Sequence, residues 1–298
     1  MTSSLSSTEA VIELVTDDDQ VTVAGPGAPW EEHGIALDQS PDGMFSTAFK
    51  TRTVSGAFQI GGRFAGHDIP VREMVLPFHL LDVGNGVEAT VSRFRKLWPI
   101  DGSTEWRYTS AKSGLRWLTS RLSQQIAFSP ERDWNVDGYA HAVVSALALQ
   151  PMYESPKDAD SWSNPSSGTH TDYLKISNPT DQKCWLEWSM DPATQWRFPD
   201  FSFGNEGKWR RAVGADAARM IVTPTLTSRL SVMADPMMET YVAADKSNVT
   251  GLFNGIEPMY WIPPYTEELV VPVQCTGPAG ATITCTMRRF WSAESGLE

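Results

Sequence analysis

The sequence predicts a mainly β protein of two domains, with one helix of useful length in the first. Three observations carry this reading. Apolar residues recur at every second position in short runs separated by Gly, Pro, Asn and Asp, the pattern of half-buried strands. Only near Val91, Phe94 and Trp98, with Leu97 beside them, does the spacing change to i, i+3, i+7, which makes one apolar stripe on a helix. After Gln150 the composition turns to Ser, Asp, Pro and Asn, so the domains are expected at 1–151 and 152–298.

Taken in order, the Ser/Thr-rich residues 1–9 are expected to be mobile. VIELVTDDDQVTVAG reads as a hairpin around Asp17–Asp19, and a strand is expected from Met44 to Lys50. Between Ser55 and Trp98 the spacing predicts a strand through Ala57, Phe58, Gln59, Ile60 and Gly61, then a turn at Gly61, Gly62 and Gly66. A longer strand follows through Val71, Met74, Leu76, Phe78 and Leu80, and then the helix, ended by Pro99. Two short strands flank Lys112-Ser113-Gly114. In YAHAVVSALALQP, alternating alanines predict a strand with one face tight against another layer.

ESPKDADSWSNPSSGTH is expected to be a linker or long exposed loop. Strands at sandwich-like spacing follow at 170–177, 184–188, 195–198, 219–223, 229–233, 239–242, 259–262, 269–274 and 281–290. With no helical period among them, this half reads as an all-β sandwich or jelly roll.

Composition excludes several functions. Apolar content of 41% and charged content of 20% belong to an ordinary globular chain, which excludes wholesale disorder. The net charge of −12 divides evenly between the halves, and the densest cationic run, Arg93 to Lys96, holds three charges; tight nucleic-acid binding needs far more. The first residues lack a cationic start and a continuous apolar run, so no secretory signal is expected, and no apolar run is long enough to span a bilayer. The three cysteines have no zinc spacing. Cys275 and Cys285 flank a turn and could face each other, although an odd count fits reduced thiols.

No motif converges on catalysis. His33, His67, His79, His141 and His170 show no metal-ligand spacing, so a metal site could arise only by tertiary convergence, and no metal ligands, catalytic residues or cofactors are expected. Glu187 and Asp191 beside Trp185 and Trp188 could mimic a glycosidase pair but read as solvated sheet-edge charges. The twelve tryptophans include Trp162, Trp185, Trp188, Trp196, Trp209 and Trp261 in the second half, where planar aromatics could hold sugar rings or pack a core. Arg63, Arg72, Arg93, Arg116, Arg121 and Arg132 sit within or beside apolar segments, where a planar fork can pair bidentately with Asp68, Glu73, Asp133 or Asp137.

In chain order, GGRFAGHDIPVREMVLPFHLL, SRFRKLWP, SGLRWLTSRL, the ERDW segment and ALALQPMYE resemble the N-terminal domain of the distal tail (Dit) proteins of long-tailed, siphovirus-type phages, in the minor tail protein form of actinobacteriophages. LKISNPTDQKCWLEWSMDPATQWRFPDFSFG, SVMADPMMETYVA and GIEPMYWIPPYTEELVVPV are similar to that family's galectin-like C-terminal β-sandwich. The resemblance implies a non-enzymatic virion protein of the tail tip, made in the host cytoplasm. Its N-terminal β-sandwich-like belt domain, with one α-helix, would form a homohexameric ring that joins the tail tube to the tape-measure and central tip or baseplate proteins and lets DNA pass. On this resemblance Arg63, Arg72, Arg93 and Arg95 are the candidate subunit interface. Trp162, Trp196 and Trp209 are candidate contacts for carbohydrate, such as a host-surface glycan, or for a partner. The rival reading is a carbohydrate-binding or glycan-hydrolysing β-sandwich protein.

Overall fold

The computed structural model describes residues 9–26, 30–45, 47–130 and 132–298; the Ser/Thr-rich opening, residues 1–8, lies outside the described residues. The chain is mainly β. It divides into two compact units, one reaching to Ser155 and completed by Trp291–Leu297, the other running from Pro156 to Phe290.

The first unit contains β1 (Val11–Val15), β2 (Gln20–Ala24), the short helix α1 (Trp30–His33), β3 (Ile35–Leu37), β4 (Lys50–Val54), β5 (Arg63–Asp68), β6 (Arg72–Leu81), α2 (Val87–Leu97), β7 (Thr104–Ser110), β8 (Gly114–Leu122), β9 (Ala127–Phe128), the one-turn α3 (Trp134–Asp137), β10 (Tyr139–Ala148) and the start of β11 (Tyr153–Ser163). All its ladders are antiparallel. β2-β1-β7-β8 form one leaf and β3-β6-β10 with β9 the other, joined where Ala146 and Leu147 pair with Leu122 and Arg121. β6 and β10 pair over their whole length, from Tyr139 opposite Leu81 to Ala148 opposite Arg72.

Burial explains the register. Met74, Leu76, Phe78 and Leu80 of β6 face the core beside Ala140, Ala142, Val144, Ala146 and Ala148 of β10, and a one-residue slip would turn every one of them outward. The alanines let α2 lie close. Its Val87, Val91, Phe94 and Leu97 are buried, and Phe94 meets Phe78 edge to face with centroids 5.0 Å apart. Truncating Phe94 to Ala would cost roughly 3–5 kcal/mol. Asp82 accepts from the amides of Gly84 and Gly86, both at 2.8 Å, and so ties down the turn before the helix. Arg95 and Lys96 in the last turn and Glu88 in the first suit the helix dipole. Gly43, at φ 76, lies so near the carbonyl of Glu73 that a Cβ would fall 2.0 Å from its oxygen, which admits only glycine.

Several expected elements differ. Residues 57–61 form no strand: the segment from Ser55 to Gly62 is the loop of the β4–β5 hairpin, with the Gln59 amide bonded to the Gly56 carbonyl at 3.1 Å. Alternation there marks no buried face, because both faces are exposed. The strand expected at 44–50 begins only at Lys50, while Met44 is anchored in the core. The linker expected after Pro151 is largely the strand β11, whose hydrogen-bond partners lie far along the chain.

The second unit contains the rest of β11, then β12 (Gly168–Asn178), β13 (Leu186–Met190), β14 (Gln195–Pro199), β15 (Met220–Val222), β16 (Leu230–Met233), β17 (Tyr241–Ala243), β18 (Thr266–Gly277) and β19 (Thr282–Trp291). Two sheets, β17-β16-β13-β19-β11 and β12-β18-β14-β15, enclose a core of Trp188, Trp196, Phe198, Tyr241 and aliphatic residues. The expected strand at 259–262 reduces to one bridge, Ile262 to Cys184, because Tyr260, Trp261 and Ile262 are buried without a continuing ladder. All three cysteines are free and buried. Burial pushes the Cys184 thiol up to about 12, so it behaves as an apolar filler.

Candidate assembly surfaces

The hairpin of β4 and β5 is exposed along nearly its whole length, with only Gly66 and Asp68 half-buried, and pairs with no other strand among the described residues. Its tip presents Phe58 and Ile60, which are fully exposed at 106% and 103%, and Phe64 stands beside them at 66%. An exposed group of this kind marks an interaction surface, since burying each aromatic or aliphatic side chain contributes about 1.5–3 kcal/mol that the isolated chain leaves unused. Phe58 also adopts φ 67, the left-handed region, at the loop reversal. Arg52 and Asp68 pair across the hairpin, so Asp68 is matched by Arg52 and not by Arg63.

The four arginines expected at an interface fall into different places. Arg63 is exposed on the hairpin. Arg93 grips Asp19 bidentately, both bonds 2.7 Å, which fixes α2 to the β1–β2 turn and holds the Asp19 carboxyl below its usual range. Arg95 is exposed, with its guanidinium 5.0 Å from the Phe128 ring centre. With Lys96, Glu88, Val91 and Trp134 it lines an open groove of about 440 Å³ between α2 and α3. Arg72 is corrected to a core residue: it is 2% exposed, and its donors reach the carbonyls of Pro151 at 2.7 Å, Gly43 at 3.2 Å, Met44 at 3.1 Å and Ser292 at 3.2 Å. With the Thr47 hydroxyl as the fifth acceptor, no donor is left for a neighbouring molecule. The signal was in the sequence, for Arg72 shares the phase of Met74, Leu76 and Phe78.

The tryptophans divide similarly. Trp196 is fully buried, its indole N–H bonded to the Asp191 carbonyl at 2.9 Å, and it is corrected from contact residue to core. Trp162 packs edge to face on it, centroids 6.3 Å apart. Trp209 alone of the three is well exposed, at 41%. Asp191 is committed to Arg229 at 2.7 Å and to the Thr282 amide at 3.2 Å.

Trp209 lies within the long loop between β14 and β15, which is held by buried carboxylates. Asp200 accepts from the amides of Met259 and Tyr260 and pairs with Arg219, while burial raises its pKa. Asp216 accepts from the Tyr260 hydroxyl at 2.5 Å and from Arg211 at 2.9 Å, bonds that lower its pKa, and Glu206 accepts from Ser202 at 2.6 Å and the Gly214 amide at 2.9 Å. These bonds fix the loop.

One convergence escaped the sequence. Asp38, His79 and His141 meet on the outward face of β3, β6 and β10: His141 stands directly opposite His79 in the ladder, and Asp38 follows β3. Each imidazole directs Nε2 at one oxygen of the Asp38 carboxylate, 3.0 Å away in both cases.

Two sheet-rich units, the first with an unpaired apolar hairpin, have the fold of a distal tail hub protein. Over 94% of this chain and 99% of the other, the structure matches the crystal structure of the Dit protein (gp 19.1) of phage SPP1 with TM-score 0.59 at 11% identity, and it matches a chain of the phage P2 baseplate in its activated conformation with Ca with TM-score 0.52 at 9% identity. In sequence the chain is similar to minor tail protein Gp27 of Mycobacterium phage D29, 26% identical over 285 residues, covering 80% of this chain and 84% of that protein. Minor tail protein Gp27 of Mycobacterium phage L5 is 25% identical over 292 residues, with the same coverage. No family model matches the chain. The resemblance read from the sequence, to distal tail and minor tail proteins of phages, holds in fold and in sequence.

Proposed function

We propose that the chain is a structural protein of the phage tail tip whose first unit forms a homohexameric ring and whose second, expected to be galectin-like, decorates it. The fully exposed Phe58–Ile60 tip carries this reading: a lone hairpin that buries nothing in its own chain suits insertion against a neighbouring copy, and a repeated heterologous contact of that kind closes into a ring. The similarity to minor tail proteins and to the Dit fold supports the same assignment. The ring would join the tail tube to the tape-measure and central tip proteins. Six chains at −12 each carry about −72, a field that favours DNA passing through without adhering.

Native mass spectrometry of the purified chain, with negative-stain images, tests this. Hexamers or six-fold rings are expected; a chain that remains monomeric at every concentration and never enters tails would overturn it. The sugar-binding reading is left with Trp209 as its only exposed platform among the three tryptophans chosen from the sequence.

A further inference from the structure

We propose that Asp38, His79 and His141 form a three-ligand site for a divalent transition-metal ion of the zinc class, with water completing the coordination. Four observations carry it. The donor set of two imidazoles and one carboxylate is the set that binds such ions while leaving coordination positions open. The ligating atoms all lie within 4.8 Å of one another, and each Nε2 is 3.0 Å from an Asp38 oxygen. An ion with bonds of about 2.0–2.1 Å at tetrahedral angles separates its ligand atoms by about 3.3 Å, so each of the two imidazole–carboxylate contacts needs to open by only a few tenths of an ångström.

The third observation is orientation. The Tyr139 hydroxyl lies 2.8 Å from Nδ1 of His79, so Nε2 is the nitrogen aimed at the site, and Nδ1–H has an acceptor when Nε2 binds metal. Tyr139 is thus a positioning residue. The fourth is rigidity with access: β6 and β10 pair without a break through His79 and His141, and the Asp38 amide is bonded to the Pro77 carbonyl at 2.9 Å, so backbone ladders set the ligand spacing. The three side chains are between 26% and 33% exposed, which leaves one side of the site open for water. A metal there would tie together three strands whose ligands are up to 103 positions apart in sequence.

The test uses the full chain, Zn²⁺ and Co²⁺. After equilibration with Zn²⁺ and dialysis against metal-free buffer, about one zinc per chain is expected by elemental analysis, falling at least ~10-fold in His79→Ala, His141→Ala and Asp38→Asn while His67→Ala and His170→Ala keep it. Tyr139→Phe should weaken Zn²⁺ binding by roughly 10-fold in titration calorimetry with an unchanged circular dichroism spectrum. Co²⁺ added to the unaltered chain should give visible absorption bands of a low-coordinate N/O site, which keeps the test valid if a ligand variant fails to fold. Zinc below a tenth of an equivalent, binding that survives in the folded His79→Ala/His141→Ala double variant, or a Co²⁺ spectrum indistinguishable from the hexaaquo ion would overturn the proposal.

Discussion

The guanidinium of Arg72 donates to the carbonyl of Ser292 at 3.2 Å, bridging 220 positions of sequence. The same head group reaches Pro151, Gly43 and Met44, so the first strand of the β6–β10 pair, the end of β10 and the closing residues of the chain meet at one buried cation. Arg72→Met keeps the stem but takes the guanidinium donors from these carbonyls, of which Met44 keeps the Tyr153 hydroxyl at 2.8 Å and Ser292 the Thr47 amide at 3.1 Å. A loss of about 3 kcal/mol is expected in the denaturant midpoint of the first unit, well above the value for an exposed arginine.

Arg116 makes the matching prediction from the other side. It stacks 3.7 Å from the Trp291 ring centre and donates to the carbonyls of Ala293 at 2.9 Å and Gly296 at 2.8 Å. Truncation after Phe290 removes the ring and both acceptors. Calorimetry of the truncated chain should show the transition of the first unit lowered by about 10 °C or more, as a loss of several kcal/mol implies, with the transition of the second unit little changed.

The Asp19–Arg93 pair gives a pH signature. The Arg93 hydrogen bond holds the Asp19 carboxyl below its ordinary 3.8, so the native state favours the charged form more than the unfolded chain does. Its contribution is therefore present above pH 3.8 and lost as the pH falls through the lower folded-state value. The side chains are 40% and 30% exposed, and solvent screening limits the effect to about 1 kcal/mol. Unfolding curves of the native chain and Arg93→Gln should differ at pH 7 and converge in acid, once the pH has fallen through the folded-state value.

The hairpin tip separates assembly from stability. Phe58→Ser and Ile60→Ser change residues that touch little in their own chain, so stability should hold within about 0.5 kcal/mol. Sedimentation velocity should nonetheless show a loss of the proposed hexamer. Arg63→Glu and Arg95→Glu are expected to do the same, with melting temperatures within about 2 °C of the parent. A large stability loss in any of these variants would mean that the residue serves the fold.

How much of this was legible depends on where each element finds its partners. The α2 stripe, the β7–β8 hairpin and the alanine face of β10 are local patterns, and the structure contains all three. The segment of β11 reads as a linker because it is rich in Ser, Asp, Pro and Asn; it is a strand because it pairs with β8 on one side and with β19, more than a hundred residues away, on the other. The outward phase of His79 and His141 was visible, but their meeting depends on the β6–β10 register, which no single strand encodes. Arg72 was misjudged because a charge outweighed its phase. The apolar alternation of the hairpin tip misleads for the opposite reason, since both of its faces are exposed in this chain.

The indole N–H of Trp291 bonds the hydroxyl of Ser155 at 3.0 Å, which brings together the residues at which the chain leaves the first unit and re-enters it. Topologically, the second unit is a cassette in a loop. Because its entry and exit lie side by side, a short splice from 155 to 291 is expected to leave the core of the first unit closed.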